Sequence, residues 1–217
     1  FLDGAGYRFP DREVFQPIWN AALAPPAALE AEGVSRRQPV VLVYWRPSVH
    51  RNLAELALAG LARWLESDPI TYQDWQVWGV GEDGPDVPIC RGHALRNLGK
   101  LNMRHYDRVL RQAQIGLSLM LSPHPSYPPL EMAAYGMVVV TNRYGPKDLS
   151  RYGAGFEPTE GVAPSAVAAA LGRAAARWRQ PDGPGAGLDR TRAFASEEAL
   201  DAMARRVAAR LFLRPPI

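Results

Sequence analysis

The sequence predicts an α/β fold in which a parallel sheet carries helices on both faces. Short apolar runs, PVVLVYW at residues 39–45 and MVVVT at residues 137–141, are typical of strands buried on both sides. Stretches with helical periodicity, such as residues 48–63, lie between the apolar runs. Strands that alternate with helices imply a parallel sheet with right-handed crossovers.

Composition agrees with one ordinary globular α/β domain. The 217 residues are 47% hydrophobic and 22% charged, enough to bury a sizeable core. The single cysteine, Cys90, excludes a disulfide within the chain. A net charge of +3 does not indicate nucleic-acid binding. No apolar run reaches the roughly 18 residues of a membrane span. We therefore expect a cytoplasmic protein, and peripheral contact with the inner membrane face stays open.

Three regions are expected along the chain. Residues 1–38 predict an arm or linker, because their prolines and aromatics follow no period. Residues 39–180 predict the α/β domain. Residues 181–217 predict a loop and an amphipathic helix that packs on the domain.

Elements within these regions follow from the same patterns. The predicted strands are residues 39–45, 74–80, 89–95, 115–121, 137–141 and a short edge strand at 153–156. The predicted helices are residues 48–63, 102–114, 128–135, 164–178 and 196–213. Ser48 is the expected N-cap of the first helix.

Residues 114–144 are the most informative stretch, because they predict strand, loop, helix and strand in succession. Pro128 and Pro129 can open the helix, since its first turn needs no N–H donors. Gly136 ends it where a left-handed residue is wanted. The amides of Leu130 and Glu131, together with the helix dipole, predict an anion site at the carboxyl edge of the sheet.

Three motifs, in this order, resemble the C-terminal, donor-binding domain of a GT-B glycosyltransferase, which has a Rossmann-like fold. They are VLVYWRPSVHRN (residues 41–52), NLGKLNMRHYDRVL (97–110) and SPHPSYPPLEMAAYG (122–136). The segment VVVTNRYGPKDLS (138–150) also fits, so the resemblance spans roughly residues 39–178. The third motif is similar to rhamnosyltransferases of the WsaF type. This implies transfer of rhamnose from dTDP-L-rhamnose to a bacterial surface glycan.

The resemblance also implies a separate acceptor domain that binds the glycan. The chain starts at Phe1 rather than Met. We therefore expect a piece of a longer enzyme, with the acceptor domain N-terminal to it. Such a piece binds the nucleotide sugar but transfers little or nothing alone.

Site residues are carried over from the matching motifs. The implied diphosphate ligands are Arg46, Arg51, Lys100 and Tyr127. The implied nucleoside ligands are Leu130 and Glu131, whose carboxylate would accept a hydrogen bond from the deoxyribose 3′-hydroxyl. The donor-sugar pocket is expected to include His124, Ser126 and Tyr144. We expect no metal ion and no cofactor, because arginine and lysine can neutralise a leaving diphosphate. No residue is assigned a catalytic role.

One position departs from many retaining GT-B enzymes, which carry two glutamates eight positions apart. Glu131 matches the second, but the first falls on Pro123, which cannot ionise. The contact of that glutamate with the donor sugar is therefore absent or supplied differently, and a deoxysugar with fewer hydroxyls would fit. Acceptor, linkage, retention or inversion, and oligomeric state stay open.

Two alternatives remain. One is another GT-B protein, such as half of a sugar-nucleotide epimerase, which needs carboxylates near the sugar where this chain has Pro123. The other is a non-enzymatic flavodoxin-like module. Receivers of that kind carry an acidic pair after the first strand, where this chain has Arg46.

Overall fold

The structure is a computed structural model that describes residues 39–180, 188–189 and 196–212. Seven strands form one sheet in the order β3-β4-β2-β1-β5-β6-β7. The strands are β1 Val40–Trp45, β2 Gln76–Gly81, β3 Val87–Cys90, β4 His93–Asn97, β5 Ile115–Leu117, β6 Val138–Asn142 and β7 Phe156–Thr159. The helices are α1 Ala54–Ser67, α2 Met103–Gln112, α3 Tyr127–Ala134, α4 Pro164–Trp178 and α5 Glu197–Phe212.

Strand β1 is the point where the strand order reverses. It pairs in parallel with β2 on one side and with β5 on the other. The remaining neighbours are also parallel, except for the antiparallel pair β3 and β4. Chains that leave β1 and β5 at their carboxyl ends diverge, and the crevice between them is where open α/β sheets bind ligands.

Alternate residues of the buried strands point to opposite faces of the sheet. Val41 and Val43 pack with α1 and α4 in one core cluster. Val40 and Leu42 pack with α2 and α3 in the other. Both faces are therefore covered, and the predicted fold class is confirmed.

The order of elements is as predicted, but three strands differ in extent. The apolar run at residues 89–95 is divided between β3 and β4, because a turn with Gly92 at φ +84° reverses the chain. Strand β5 ends at Leu117 rather than at residue 121, and the backbone of Met120 pairs with the side chain of Asn142 instead of with a strand. The edge strand is β7, which starts where the predicted segment ends.

Ser48 is not the N-cap of the first helix, which is a correction. Its hydroxyl donates to Glu82 at 2.5 Å, which joins the loop after β1 to the loop after the neighbouring strand β2. A short 3₁₀ helix, His50–Asn52, comes next, and α1 begins after Leu53. Leu53 has φ +54° and ψ +42°, a left-handed conformation that is uncommon for leucine.

The final helix α5 lies close to its predicted position. None of its described side chains is buried, so its packing on the domain stays a prediction. The predicted arm at residues 1–38 and residues 181–187 of the predicted loop fall outside the described residues. In the part of the chain that the structure describes, no helix has the length and hydropathy to cross a membrane.

Candidate functional site

Two adjoining cavities open at the crevice between β1 and β5. The larger has a volume of about 470 Å³, and the smaller of about 190 Å³. Tyr44 and Pro128 line both, so these two side chains form the shared wall. The other residues of the larger cavity are Arg46, Arg51, Asn52, Met120, Ser122, His124, Ser126 and Tyr127. The other residues of the smaller cavity are Val80, Gly81, Lys100, Leu101, Tyr106 and Glu131.

The larger cavity is lined by two arginines from the β1 side. Arg46 directly follows β1, and Arg51 lies in the 3₁₀ helix. Nη1 of Arg46 lies 3.4 Å from the hydroxyl oxygen of Tyr44. This contact raises the pKa of Arg46 above its already high value, so the guanidinium stays charged. Two guanidinium groups with forked donors suit the oxygens of a phosphate.

The opposite wall of the larger cavity is the loop between β5 and α3. The backbone N–H of Ser126 donates to Nδ1 of His124 at 3.0 Å. An Nδ1 that accepts this bond carries no proton, so a neutral His124 has its N–H at Nε2, available as a donor. Ser126 has φ +69° and ψ +151°, a conformation that strongly favours glycine. Strain of this kind is concentrated at functional loops.

A buried carboxylate lies in the smaller cavity. Glu131 is 8% exposed, and the hydroxyl of Tyr106 donates to its Oε2 at 3.0 Å. Burial raises the pKa of Glu131, and the bond from Tyr106 offsets part of that rise. Burial, and then the charge of Glu131, raise the pKa of Tyr106 well above its ordinary value. Tyr106 therefore remains a hydrogen-bond donor that orients the carboxylate.

Acidic residues of the loop between β2 and β3 hold the backbone around the site. Oδ1 of Asp83 accepts the N–H of Lys100 at 2.8 Å. Gly99, at φ +69°, lets the chain turn there, and an added Cβ would collide with Asp83. Glu82 holds Ser48 in the loop that follows Arg46. These contacts fix the backbone at Lys100 and in the loop that follows Arg46.

The predicted site residues are gathered at one crevice, but not in one cavity. Arg46, Arg51 and Tyr127 line the larger cavity, whereas Lys100 lines the smaller with Glu131. The diphosphate set predicted from the sequence is therefore divided at the shared wall.

His124 and Ser126 line the larger cavity, but two other predicted residues do not line either cavity. Tyr144 pairs with Lys147 in an isolated bridge and is 39% exposed. The side chain of Leu130 is fully buried in the core. Pro128 and Pro129 lack N–H groups, so the first turn of α3 offers fewer amide donors than the sequence prediction assumed. Side chains must supply more of the positive potential.

Sequence reasoning missed the uncharged residues that form the walls of the crevice. Tyr44, Asn52 and Tyr106 line the cavities but were not assigned to the site. Tyr44 could have been found from its position, because it lies next to the carboxyl end of β1, where the site was expected. In the described part of the chain, no cluster of three or more His, Cys, Asp or Glu could hold a metal ion.

The family described as WsaF, C-terminal domain, matches residues 39–172 of this chain. This chain belongs to the WsaF C-terminal domain family. The matched span contains every residue that lines the two cavities. This WsaF C-terminal domain is 36% identical over 130 residues to the O-antigen biosynthesis protein RfbC of Myxococcus xanthus. The match covers 59% of this chain but 10% of that protein.

Solved glycosyltransferase structures share the fold of this WsaF C-terminal domain. A glycosyltransferase from Rickettsia africae aligns with TM-score 0.61 at 12% identity, over 92% of this chain and 57% of that one. Anabaena HepE, in complex with UDP and glucose, aligns with TM-score 0.60 at 11% identity, over 87% and 54%. Sucrose-phosphate synthase from Thermosynechococcus elongatus aligns with TM-score 0.58 at 16% identity, over 88% and 50%. At such identities the likeness shows the fold, that of a GT-B C-terminal domain, and the chain spans about half of each structure.

Proposed function

We propose that this WsaF C-terminal domain is the donor-binding part of a glycosyltransferase that moves rhamnose from dTDP-L-rhamnose to a surface glycan. One observation carries the proposal. Arg46, Arg51 and Lys100, with the buried carboxylate of Glu131, line two adjoining cavities where the strand order reverses. Cations for a diphosphate and a carboxylate for a pentose hydroxyl are the groups that a sugar nucleotide requires.

The two cavities divide the donor between them in this proposal. The smaller takes the nucleoside, and Glu131 accepts the deoxyribose 3′-hydroxyl while Tyr106 holds its other oxygen. The larger takes the diphosphate and the sugar, with His124 and Ser126 near the sugar. Lys100 reaches the diphosphate from the nucleoside side.

Electrostatics then favour the chemical step. When the bond between the sugar carbon and the phosphate oxygen breaks, negative charge grows on the diphosphate. Positive groups fixed beside it stabilise that charge without a reorganisation cost. In this proposal Arg46 and Arg51 stabilise the charge on the diphosphate. A metal ion is not required.

The comparisons support the proposal at the level of family and fold. RfbC is named for O-antigen biosynthesis, which agrees with a surface glycan as product. The complex of HepE with UDP and glucose agrees with a nucleotide donor bound by this fold. Rhamnose and thymidine come from the resemblance to WsaF-type enzymes and are the finer part of the proposal.

Calorimetric titration with dTDP, UDP and GDP tests donor binding. We expect dTDP to bind most tightly, because the proposed donor carries it. Heat from dTDP-rhamnose but not from UDP-glucose would strengthen the finer proposal. If folded protein gives no heat with any of these ligands, the donor-binding proposal fails.

A transfer assay tests the division of labour with the rest of the protein. The chain matches a tenth of RfbC, and we propose that the acceptor site lies in a domain outside residues 1–217. We expect this chain to bind dTDP-rhamnose without transferring rhamnose to a glycan acceptor. Transfer by the chain alone would contradict a separate acceptor domain.

A further inference from the structure

A buried lysine lies behind the larger cavity. Lys147 is 2% exposed, and its Nζ donates to the carbonyl oxygen of Met120 at 2.8 Å and to Oδ1 of Asn142 at 3.3 Å. Burial lowers the pKa of Lys147 to about 8. Among the residues that the structure describes, no carboxylate forms an ion pair with it. A buried ammonium of this kind costs folding free energy, and such groups are concentrated at functional sites.

Asn142, like Lys147, forms hydrogen bonds with the backbone of Met120. Its Oδ1 accepts the N–H of Met120 at 2.7 Å, and its Nδ2 donates to the carbonyl oxygen of Met120 at 3.2 Å. Strand β5 has already ended at Leu117, so no strand ladder fixes Met120. Two side chains from β6 and the loop after it hold both of its backbone groups instead.

From Met120 the contacts reach both sides of the larger cavity. Met120 lines the cavity itself. The N–H of the next residue, Leu121, donates to the carbonyl oxygen of Arg51 at 2.8 Å. The loop that carries His124 follows directly and leads to Tyr127, the first residue of α3. A shift of Met120 would therefore change the distance between Arg51 and that loop.

We propose that Lys147 and Asn142 are positioning residues for the donor, which clamp Met120 and so set the width of the larger cavity. The inference rests on the proposed function of that cavity. Neither side chain lines either cavity, so neither is expected to touch the ligand. Their effect on binding is exerted through the backbone of Met120.

The variant Lys147→Met tests the clamp, because methionine keeps much of the length of the lysine stem but removes its donor and charge. We expect dTDP to bind at least about tenfold more weakly, because a displaced site wall loses hydrogen bonds to the charged ligand. We expect the melting temperature to be unchanged or higher, because an unpaired buried charge is gone. A lysine with a merely structural role would give the reverse, a lower melting temperature with unchanged affinity.

Arg143→Met is the matched control. Arg143 lies in the same loop, its side chain is 53% exposed, and it pairs with Asp148 rather than with Met120. We expect its affinity for dTDP to equal that of the unchanged protein. An equal loss of affinity in both variants would overturn the clamp, because it would reflect the charge of the loop and not the contact with Met120.

Amide hydrogen exchange, followed by NMR, decides the matter even if Lys147→Met does not fold. In the unchanged protein without nucleotide, the clamp requires slow exchange at the N–H of Met120. Exchange as fast as in an exposed loop would overturn it. If the unchanged protein binds no nucleotide, the proposed function fails. The exchange rate of the Met120 N–H then still shows whether Lys147 and Asn142 hold the backbone of Met120. If it binds dTDP and Lys147→Met binds equally well, the clamp fails and the proposed function stands.

Discussion

The buried carboxylate of Glu131, proposed to bind the nucleoside, also lowers the stability of the folded domain. Burial raises the folded-state pKa of this carboxyl above the value of about 4.5 expected in the unfolded chain. The native state therefore binds a proton more strongly than the unfolded state. The free energy of unfolding falls as pH rises from about 4.5 through the folded-state pKa, and above that pKa the cost is fully present.

Glu131→Gln should separate binding from stability. At a pH above the folded-state pKa, removal of the charge should raise the free energy of unfolding, measured by urea denaturation. The same change should weaken dTDP binding by roughly 1–3 kcal/mol, because a hydrogen bond to a charged acceptor is lost. Unchanged affinity in the folded variant would remove Glu131 from the nucleoside site.

Tyr106→Phe should change the pH dependence of binding. The hydroxyl of Tyr106 lowers the pKa of Glu131, so its removal lets that pKa rise further. As pH falls through the folded-state pKa of Glu131, dTDP affinity should decline at a higher pH in the variant than in the unchanged protein. Calorimetry at a series of pH values measures dTDP affinity for both proteins. Titration of the ligand itself affects both profiles equally and cancels in their difference. Tyr152→Phe, a change outside both cavities, should show no such displacement, and coincident profiles for Tyr106→Phe would contradict the role of Tyr106.

At the scale of elements, the packing of α1 on α4 depends on a close approach at Gly60. A Cβ at Gly60 would lie 2.6 Å from Cβ of Val167, a β-branched and therefore stiff side chain. At Gly172, in α4, an added Cβ would meet nothing within 4 Å. Within this helix pair, the close packing therefore requires a glycine at residue 60 but not at residue 172.

Two alanine substitutions should consequently have opposite effects on thermal unfolding. Gly60→Ala should destabilise the domain by roughly 1–3 kcal/mol through overpacking. Gly172→Ala should stabilise it by up to about 1 kcal/mol, because alanine is the better helix former. If both variants melt alike, the two helices do not approach at Gly60 as described.

Most elements could be predicted from the sequence because their patterns are local. Pro164 and Trp178 bound a helix that the sequence predicts without error, and the buried valines of β1 and β6 identify central strands. Ser48 was wrongly assigned as a cap because its partner, Glu82, lies 34 residues away. The hairpin at Gly92 was missed because the apolar residues on its two sides read as one run.

The candidate site could be predicted only in part for a similar reason. Motif likeness selected Arg46 and Glu131, whose positions follow from strand and helix ends. It could not show that Lys100 and Arg46 line different cavities, since that depends on where Tyr44 lies between them. The burial of Lys147 could not be predicted from the sequence, because it arises from contacts with Met120 and Asn142 that only the fold creates.

At the scale of the whole molecule, the protein's own cations are proposed to replace a metal ion. Excess EDTA should leave the affinity for dTDP unchanged, and added Mg²⁺ should not raise it. Calorimetry with and without each reagent measures this. A clear loss of affinity in EDTA, restored by Mg²⁺, would show that Arg46, Arg51 and Lys100 are not sufficient to neutralise the diphosphate.

The wall formed by Tyr44 and Pro128 divides the crevice in two, so the proposed donor would be held as two linked fragments. A linked ligand loses its translational freedom only once, whereas separate fragments each lose it, so a spanning ligand binds far more tightly than either half. In the proposed binding mode, the nucleotide that remains once the sugar is removed fills the smaller compartment and only part of the larger one. Departure of the sugar would thus loosen the hold on the spent carrier and speed its exchange for a fresh one.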